Sequence, residues 1–201
     1  RGALDHEILD ALTATVANID AHCLMLTGTA GIFSAGYDLG NLEGLEFEQN
    51  AEKLVAHPFH DALEALEAFP YPVLAQINGH AIGGGLELAL TCDIRVAARG
   101  IKVGMPPAKL GLIYSHTGLR KFLDAVGPAN TAELFYVGRN VDADRGHSMG
   151  LLNQVVDPAA IVEILKSQGV PSDWVISIFD TAGKRVARSR AHESNVGKPG
   201  A

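Results

Sequence analysis

The sequence predicts an α/β fold, and three observations carry that expectation. Short continuous apolar runs alternate with segments of helical spacing, prolines and glycines fall between them, and no unit recurs at a fixed sequence period. Strand, helix, strand, helix in that order implies parallel pairing through right-handed crossovers.

Taken in order, Leu4, Ile8, Leu12, Val16 and Ile19 recur at three- and four-residue steps and predict an amphipathic helix from Ala3 to Ile19. His22 to Thr27, continuous in apolar residues through Cys23, Leu24, Met25 and Leu26, predicts a buried strand. Gly28 to Gly36 is a turn-rich loop ending in Tyr37-Asp38-Leu39. A second helix is expected from about Glu46 to Phe69, kinked or broken at Pro58, with Glu46, Glu48, Glu52, Lys53, Asp61, Glu64 and Glu67 on a solvated face. Pro70 and Pro72 stop it, and Val73 to Ile77 forms the next strand. Asp93 to Ala97 is a further strand, and Lys102 to Thr117 a long apolar loop of the kind that lines a site. Helices are expected at Gly118 to Val126, Ala129 to Val137 and Ala143 to Met149, with stops at Gly127 and Gly138. Leu152 to Val156 is expected as the last strand and Pro158 to Gln168 as a helix. Beyond Gly169 the pattern decays. Trp174, Val175, Ile176, Ile178 and Phe179 are apolar enough to pack, whereas Arg185 to Ala201 reads as a loose basic tail.

A chain of 201 residues, 47% hydrophobic and 19% charged, has the composition of one globular domain with a sizeable core. Its formal net charge of −7 disfavours a nucleic-acid surface. No apolar run reaches the ~18 residues of a membrane span, and no secretory leader is evident. Cys23 and Cys92 sit in apolar runs, so they read as core side chains in a reducing, cytoplasmic setting. The chain opens at Arg1, without methionine, in what looks like the entry to a helix; a preceding segment is expected.

Asn78 to Asp93 carries the strongest chemical signal. Gly83, Gly84 and Gly85 stand directly before a helical apolar segment, with Glu87 in its first turn. A helix start offers free amide N–H groups and the positive end of the backbone dipole, and glycines let a ligand approach them. The residues thus describe an anion or oxyanion pocket with a carboxylate beside it. They also describe a plain strand-to-helix turn with a first-turn acid. A phosphate-binding Gly-x-x-x-x-Gly-Lys-Ser/Thr motif and a dinucleotide Gly-x-Gly-x-x-Gly spacing are absent from this stretch.

Three blocks together resemble the crotonase superfamily, the enoyl-CoA hydratase/isomerase family. Phe33-Ser34-Ala35-Gly36-Tyr37-Asp38-Leu39 is similar to its first oxyanion-hole loop, Asn78 through Asp93 to its second, and Gly104-Met105-Pro106 with Gly111 to the following active-site loop. Gly127, Glu133, Gly138 and Gly150-Leu151-Leu152 extend the likeness, which covers about Arg1 to Val156. The resemblance implies a spiral of repeated β-β-α units over residues 1–156, with an atypical helical or tail region at 157–201. It further implies an acyl-CoA substrate in fatty acid metabolism, with coenzyme A as part of the substrate and no separate cofactor or metal, and a homotrimer or dimer of trimers. The oxyanion donors would be the backbone N–H groups of Tyr37 and Gly84. Glu87 would be catalytic, and Ala35, Asp38, Leu39, Gly83, Pro106, Pro107 and Gly111 would contact substrate.

One departure matters. Where the family's second catalytic glutamate follows Pro106, this chain has Pro107, which cannot give or take a proton. Pro107 to Tyr114 instead resembles the loop of methylmalonyl-CoA decarboxylase, in which Tyr114 would position a carboxylate, although that enzyme has a histidine where Tyr37 stands. Three functions therefore stay open: a hydratase/isomerase using Glu87 with water or Tyr114, a decarboxylase, and a non-catalytic scaffold or RNA-binding relative, which the acidic charge disfavours. His116, on the active-site loop, ranks ahead of His57, His60 and His80 as a further candidate. Asp38 and Asp93 read as structural, Tyr114 equally as a pocket wall, and Lys109 and Arg1 as exposed bases within reach of coenzyme A phosphates.

Overall fold

A computed structural model describes residues 2–28, 32–38, 55–157, 177–179 and 185–188. β1 (Ala3–Leu4) precedes α1 (His6–Asn18) and pairs in parallel with β4 (Gly36–Tyr37). The helix expected from Ala3 thus begins three residues later. The Asp5 carboxylate accepts the Ile8 N–H at 2.8 Å and fixes the helix start, leaving Ala3 and Leu4 extended. Leu9 and Val16 are the buried residues of α1, flanked by half-buried Ile8 and Leu12.

Two sheets organise the rest. β2 (Leu24–Thr27), β5 (Val73–Ile77), β7 (Ile94–Ala98) and β10 (Gln154–Val156) form a parallel sheet in the order β10-β7-β5-β2. The second sheet has the order β3-β6-β8-β9, with β3 (Ile32–Ser34), β6 (His80–Ile82) and β8 (Lys102–Gly104) parallel and β9 (Val141–Asp142) antiparallel to β8. Two successive passes of the chain each give one strand to each sheet and then a helix. β5 and β6 lead into α3 (Gly84–Thr91), while β7 and β8 lead into a 3-10 turn (Pro107–Leu110) and α4 (His116–Ala132). Between β4 and β5, a π turn (Val55–Phe59) containing Pro58 runs into α2 (His60–Ala68); the rest of the helix expected from Glu46 lies outside the described residues.

Several boundaries move for physical reasons. The strand expected from Asp93 starts at Ile94, because the Asp93 carboxylate accepts the Val73 N–H at 2.8 Å and ties the helix exit to β5. Lys102 to Thr117 is not loop throughout, since Val103 and Gly104 pair with Ala81 and Ile82. Gly127, at φ 73°, breaks α4, and Gly138, at φ 64°, ends the π turn Glu133–Val137; α5 (Ala143–Ser148) follows. β10 is not the last strand: β11 (Ser177–Phe179) and β12 (Arg185–Arg188) pair antiparallel, so the first residues of the expected loose tail are extended and paired. The expected helix at 158–168 is outside the described residues.

One apolar core runs between the sheets and helices, with Phe59, Leu86, Met105, Phe122 and Leu134 almost fully buried in it. Cys92 belongs to it and, like half-buried Cys23, is a free thiol. Among the described residues no helix is long and apolar enough to cross a membrane, and no group of three or more His, Cys, Asp or Glu side chains could hold a metal.

Candidate active site

The glycine turn between β6 and α3 is built from three different constraints. Gly83 has φ 58° and ψ −128°, a conformation that a side chain would strain, and its N–H donates to Gly104 O at 2.9 Å, locking the turn to β8. A Cβ on Gly84 would stand 2.5 Å from the Tyr37 ring, and one on Gly85 would stand 2.5 Å from the Ser34 Cβ. These two positions have no room for a side chain because Tyr37 and Ser34 already fill that space. Ser34, buried in β3, accepts the Gly36 N–H at 3.2 Å and shapes the bend into β4.

α3 is buried along Gly84 to Ala89, so Glu87 is carried into the interior, 3% exposed. The Tyr114 hydroxyl donates to its Oε2, and the Tyr37 hydroxyl lies 3.2 Å from that of Tyr114. Carboxylate and two phenols therefore form one chain of oxygens. Edge-to-face contacts hold the rings: Tyr37 on Phe59 at 4.8 Å, Tyr114 on Phe135 at 5.5 Å, and Phe135 on Phe122 at 5.0 Å.

The first turn of α4 closes over the carboxylate. Ser115 caps the helix by accepting the Gly118 N–H at 3.1 Å, and a Cβ on Gly118 would stand 2.7 Å from Glu87 Oε1 and 2.5 Å from the Tyr114 ring. One turn on, the Lys121 ammonium pairs with Glu67 of α2 and donates to Thr91 Oγ1 at 3.1 Å; Thr91 in turn donates to the Glu87 carbonyl at 3.1 Å. Burial pushes the Glu87 carboxyl above its ordinary pKa, against the Tyr114 hydrogen bond and the Lys121 charge, which favour the anion. Burial likewise raises the Tyr37 and Tyr114 phenols, so both stay protonated near neutrality.

The two backbone amides that the resemblance names as oxyanion donors lie on segments beside this chain of oxygens. Asp38 N–H donates to Leu4 O at 2.8 Å, so the segment that carries the Tyr37 N–H is tied to β1 beyond it. Gly84 is the first residue of α3, where an amide has no acceptor within the helix. The two segments are neighbours, since a Cβ on Gly36 would lie 3.4 Å from the Gly84 nitrogen.

Glu87 and Gly84 on α3, Tyr114 and Tyr37 therefore come together from three separate stretches of sequence. Gly83 supports them through the turn. Pro107 is buried at the head of the 3-10 turn, behind half-buried Pro106, and Gly111 closes that turn in a left-handed conformation on exposed chain. Ala35 and Asp38 are exposed and hold β4 to β1, Ala35 N–H donating to Gly2 O at 2.8 Å. Leu39 and Arg1 lie outside the described residues. His116 is exposed at the start of α4; His57 and Lys109 are exposed, His80 accepts the Lys102 N–H, and His60 pairs with Glu64. Gly118 and Lys121 escaped the sequence reading. A glycine in a helical first turn costs about 1 kcal/mol against alanine and is a usable signal of close approach; Lys121 left no signal, because its partners come from two other helices. Nothing in the sequence marks the side chain of Tyr37, to whose N–H alone the resemblance gives a role.

Residues 2–167 match the family model for enoyl-CoA hydratase/isomerase. The crotonyl-CoA hydratase of Syntrophomonas wolfei is 34% identical over 165 residues, which are 80% of this chain and 61% of that protein. The glyoxysomal fatty acid beta-oxidation multifunctional protein MFP-a of Brassica napus is 32% identical over 81% of this chain, a match spanning 23% of that protein. In solved structures, an enoyl-CoA hydratase/isomerase family protein from Hyphomonas neptunium superposes with TM-score 0.73 at 34% identity, covering 82% of this chain and 65% of that one. An enoyl-CoA hydratase from Bacillus anthracis gives 0.69 at 31%, covering 82% and 65%.

Proposed function

Because this chain belongs to the enoyl-CoA hydratase/isomerase family and has the crotonase fold, we propose that it shifts protons on an acyl-CoA thioester through an enolate, with the hydrogen-bonded Glu87 and Tyr114 as the source and sink of the proton. The observation that carries this reading is the buried Glu87 carboxylate hydrogen-bonded by Tyr114 within one helical turn of Gly84, the first residue of α3. The Tyr37 and Gly84 N–H groups receive the thioester oxygen. Two main-chain donors there stabilise the charge that develops on that oxygen when the α-carbon loses its proton, and each is worth on the order of 100-fold in rate. Burial raises the Glu87 carboxyl above its ordinary range, which makes its anion a better proton acceptor than an ordinary carboxylate.

Hydration by paired carboxylates asks for a second acid on the loop after Met105. Pro107 has no group to serve as one, which favours isomerisation or another single-acid reaction over syn-hydration. Decarboxylation is a second reading, favoured by the hydroxyl of Tyr114 in the site: loss of carbon dioxide itself creates the enolate and needs no base. A homotrimeric assembly belongs to the same proposal. Leu110, Tyr136 and Val137 are exposed on two short helical turns that pack together, the apolar surface an assembly would cover.

Short acyl-CoA esters in deuterium oxide test the proposal. The expected result is deuterium at the α-carbon, read by mass spectrometry, and its loss in Glu87→Gln. Absence of exchange in the folded protein with every short acyl-CoA overturns it. Carbon dioxide release from methylmalonyl-CoA that survives Glu87→Gln selects the decarboxylase.

A further inference from the structure

Both oxygens of Glu87 are covered. Oε2 is taken by the Tyr114 hydroxyl, and Oε1 lies against the first turn of α4, so close that Gly118 has no room for a Cβ. The residue is 3% exposed. A group enclosed in this way cannot itself touch the α-carbon of a substrate. The chain of oxygens that begins at Glu87 runs through Tyr114 to Tyr37, which is half-buried and whose ring lies directly on Gly84. A thioester oxygen held at the Gly84 N–H has its α-carbon two bonds away, and the Tyr37 ring is the side chain packed against Gly84.

Resting on the acyl-CoA reading above, we infer that the Tyr37 hydroxyl is the catalytic group that exchanges a proton with the α-carbon, fed by Glu87 through Tyr114. The polarity of the chain follows from the state of its buried end. When Glu87 is ionised, Tyr114 donates to it and can then only accept from Tyr37, whose proton points inward. When Glu87 is protonated, it donates to Tyr114, Tyr114 donates to Tyr37, and the Tyr37 proton is turned out towards the substrate.

Protonation of the enolate is then a concerted transfer. The enolate electron pair forms the new C–H bond with the Tyr37 proton as the thioester C=O is restored. Tyr37 oxygen takes the Tyr114 proton, Tyr114 oxygen takes the Glu87 proton, and Glu87 is left as the carboxylate. Deprotonation is the same path reversed, and neither phenol carries a lasting negative charge. This suits two hydroxyls that burial holds in their protonated form.

A double-mutant cycle in the α-deuterium exchange assay tests the relay. Tyr37→Phe keeps the ring on Gly84, the contact with Phe59 and the backbone N–H, and removes only the hydroxyl. The expected result is a fall of about 100-fold in exchange with acyl-CoA affinity, read by calorimetry, changed less than threefold. Tyr114→Phe is expected to fall similarly. Because both hydroxyls serve the one buried carboxylate, the double variant should lose less than the product of the two single losses. Undiminished exchange in folded Tyr37→Phe overturns the inference, as does a double variant whose loss is the product of the two single losses. The failures are separable: absence of exchange in the unaltered protein defeats the acyl-CoA reading itself, whereas exchange that ignores Tyr37 defeats the relay alone.

Discussion

Gly118→Ala tests the closeness of α4 to the buried carboxylate, and the two forces acting on it have opposite signs. On helix propensity alone, alanine in place of glycine adds about 1 kcal/mol of stability. The structure opposes that gain. Ordinary contact begins at 3.4 Å, so with Oε1 of Glu87 at 2.7 Å and the Tyr114 ring at 2.5 Å, the carboxylate must retreat by about 0.7 Å and the ring by about 0.9 Å. Neither can move freely, because they are bonded to each other and Tyr114 is packed on Phe135. Overpacking of this kind costs roughly 1–3 kcal/mol, which outweighs the propensity gain. Displacement of a reacting group by nearly 1 Å costs on the order of 100-fold in rate. The expected variant folds, melts at or below the parent temperature, and loses about 100-fold in turnover with little change in acyl-CoA binding. Thermal melting and steady-state kinetics on one preparation read both quantities. A variant that melts higher and turns over at the parent rate would refute the packing argument, and with it the claim that Glu87 is sealed from that side.

Glu87→Gln should lower turnover by at least ~100-fold while raising stability at neutral pH. Burial lifts the folded-state pKa of Glu87 above 4.5, so its ionisation opposes folding: stability is full below 4.5 and declines as pH climbs through the raised value. The melting-temperature gap between variant and parent should therefore close as pH falls towards 4.5, and a gap independent of pH would contradict this. Lys121→Met removes a charge that favours the Glu87 anion, so the basic form needed for proton abstraction should appear at higher pH in the rate profile; an unshifted profile speaks against the coupling. Because the Lys121–Glu67 pair lies near the surface, the stability change should stay within about 1 kcal/mol. Pro107→Glu should confer measurable hydration of crotonyl-CoA, and a folded variant without it would count against a missing second acid as the limiting defect.

Much of the architecture was legible locally. The glycine turn, the apolar strands Val73–Ile77 and Leu24–Thr27, and the position of Glu87 one turn into a buried helix all follow from residue type and spacing. Where the reading slipped, a capping or pairing interaction took precedence over periodicity. Asp5 moved a helix start, Asp93 moved a strand, and partners more than 20 residues away made Val103 and Gly104 a strand where glycines and prolines spelled a loop.

The sequence by itself determined which groups are available: a glycine turn with free amides, one acid beside it, a proline where a second acid would stand, and a tyrosine on the following loop. Only the tertiary structure decided what they do to one another. Tyr37 and Tyr114 are 77 residues apart in the chain, and their hydroxyls meet because β4, α3 and the start of α4 converge at one point. Residue spacing encodes the face an element buries, but the contact between two faces depends on how sheets stack and helices cross, and that is set by the packing of the whole core.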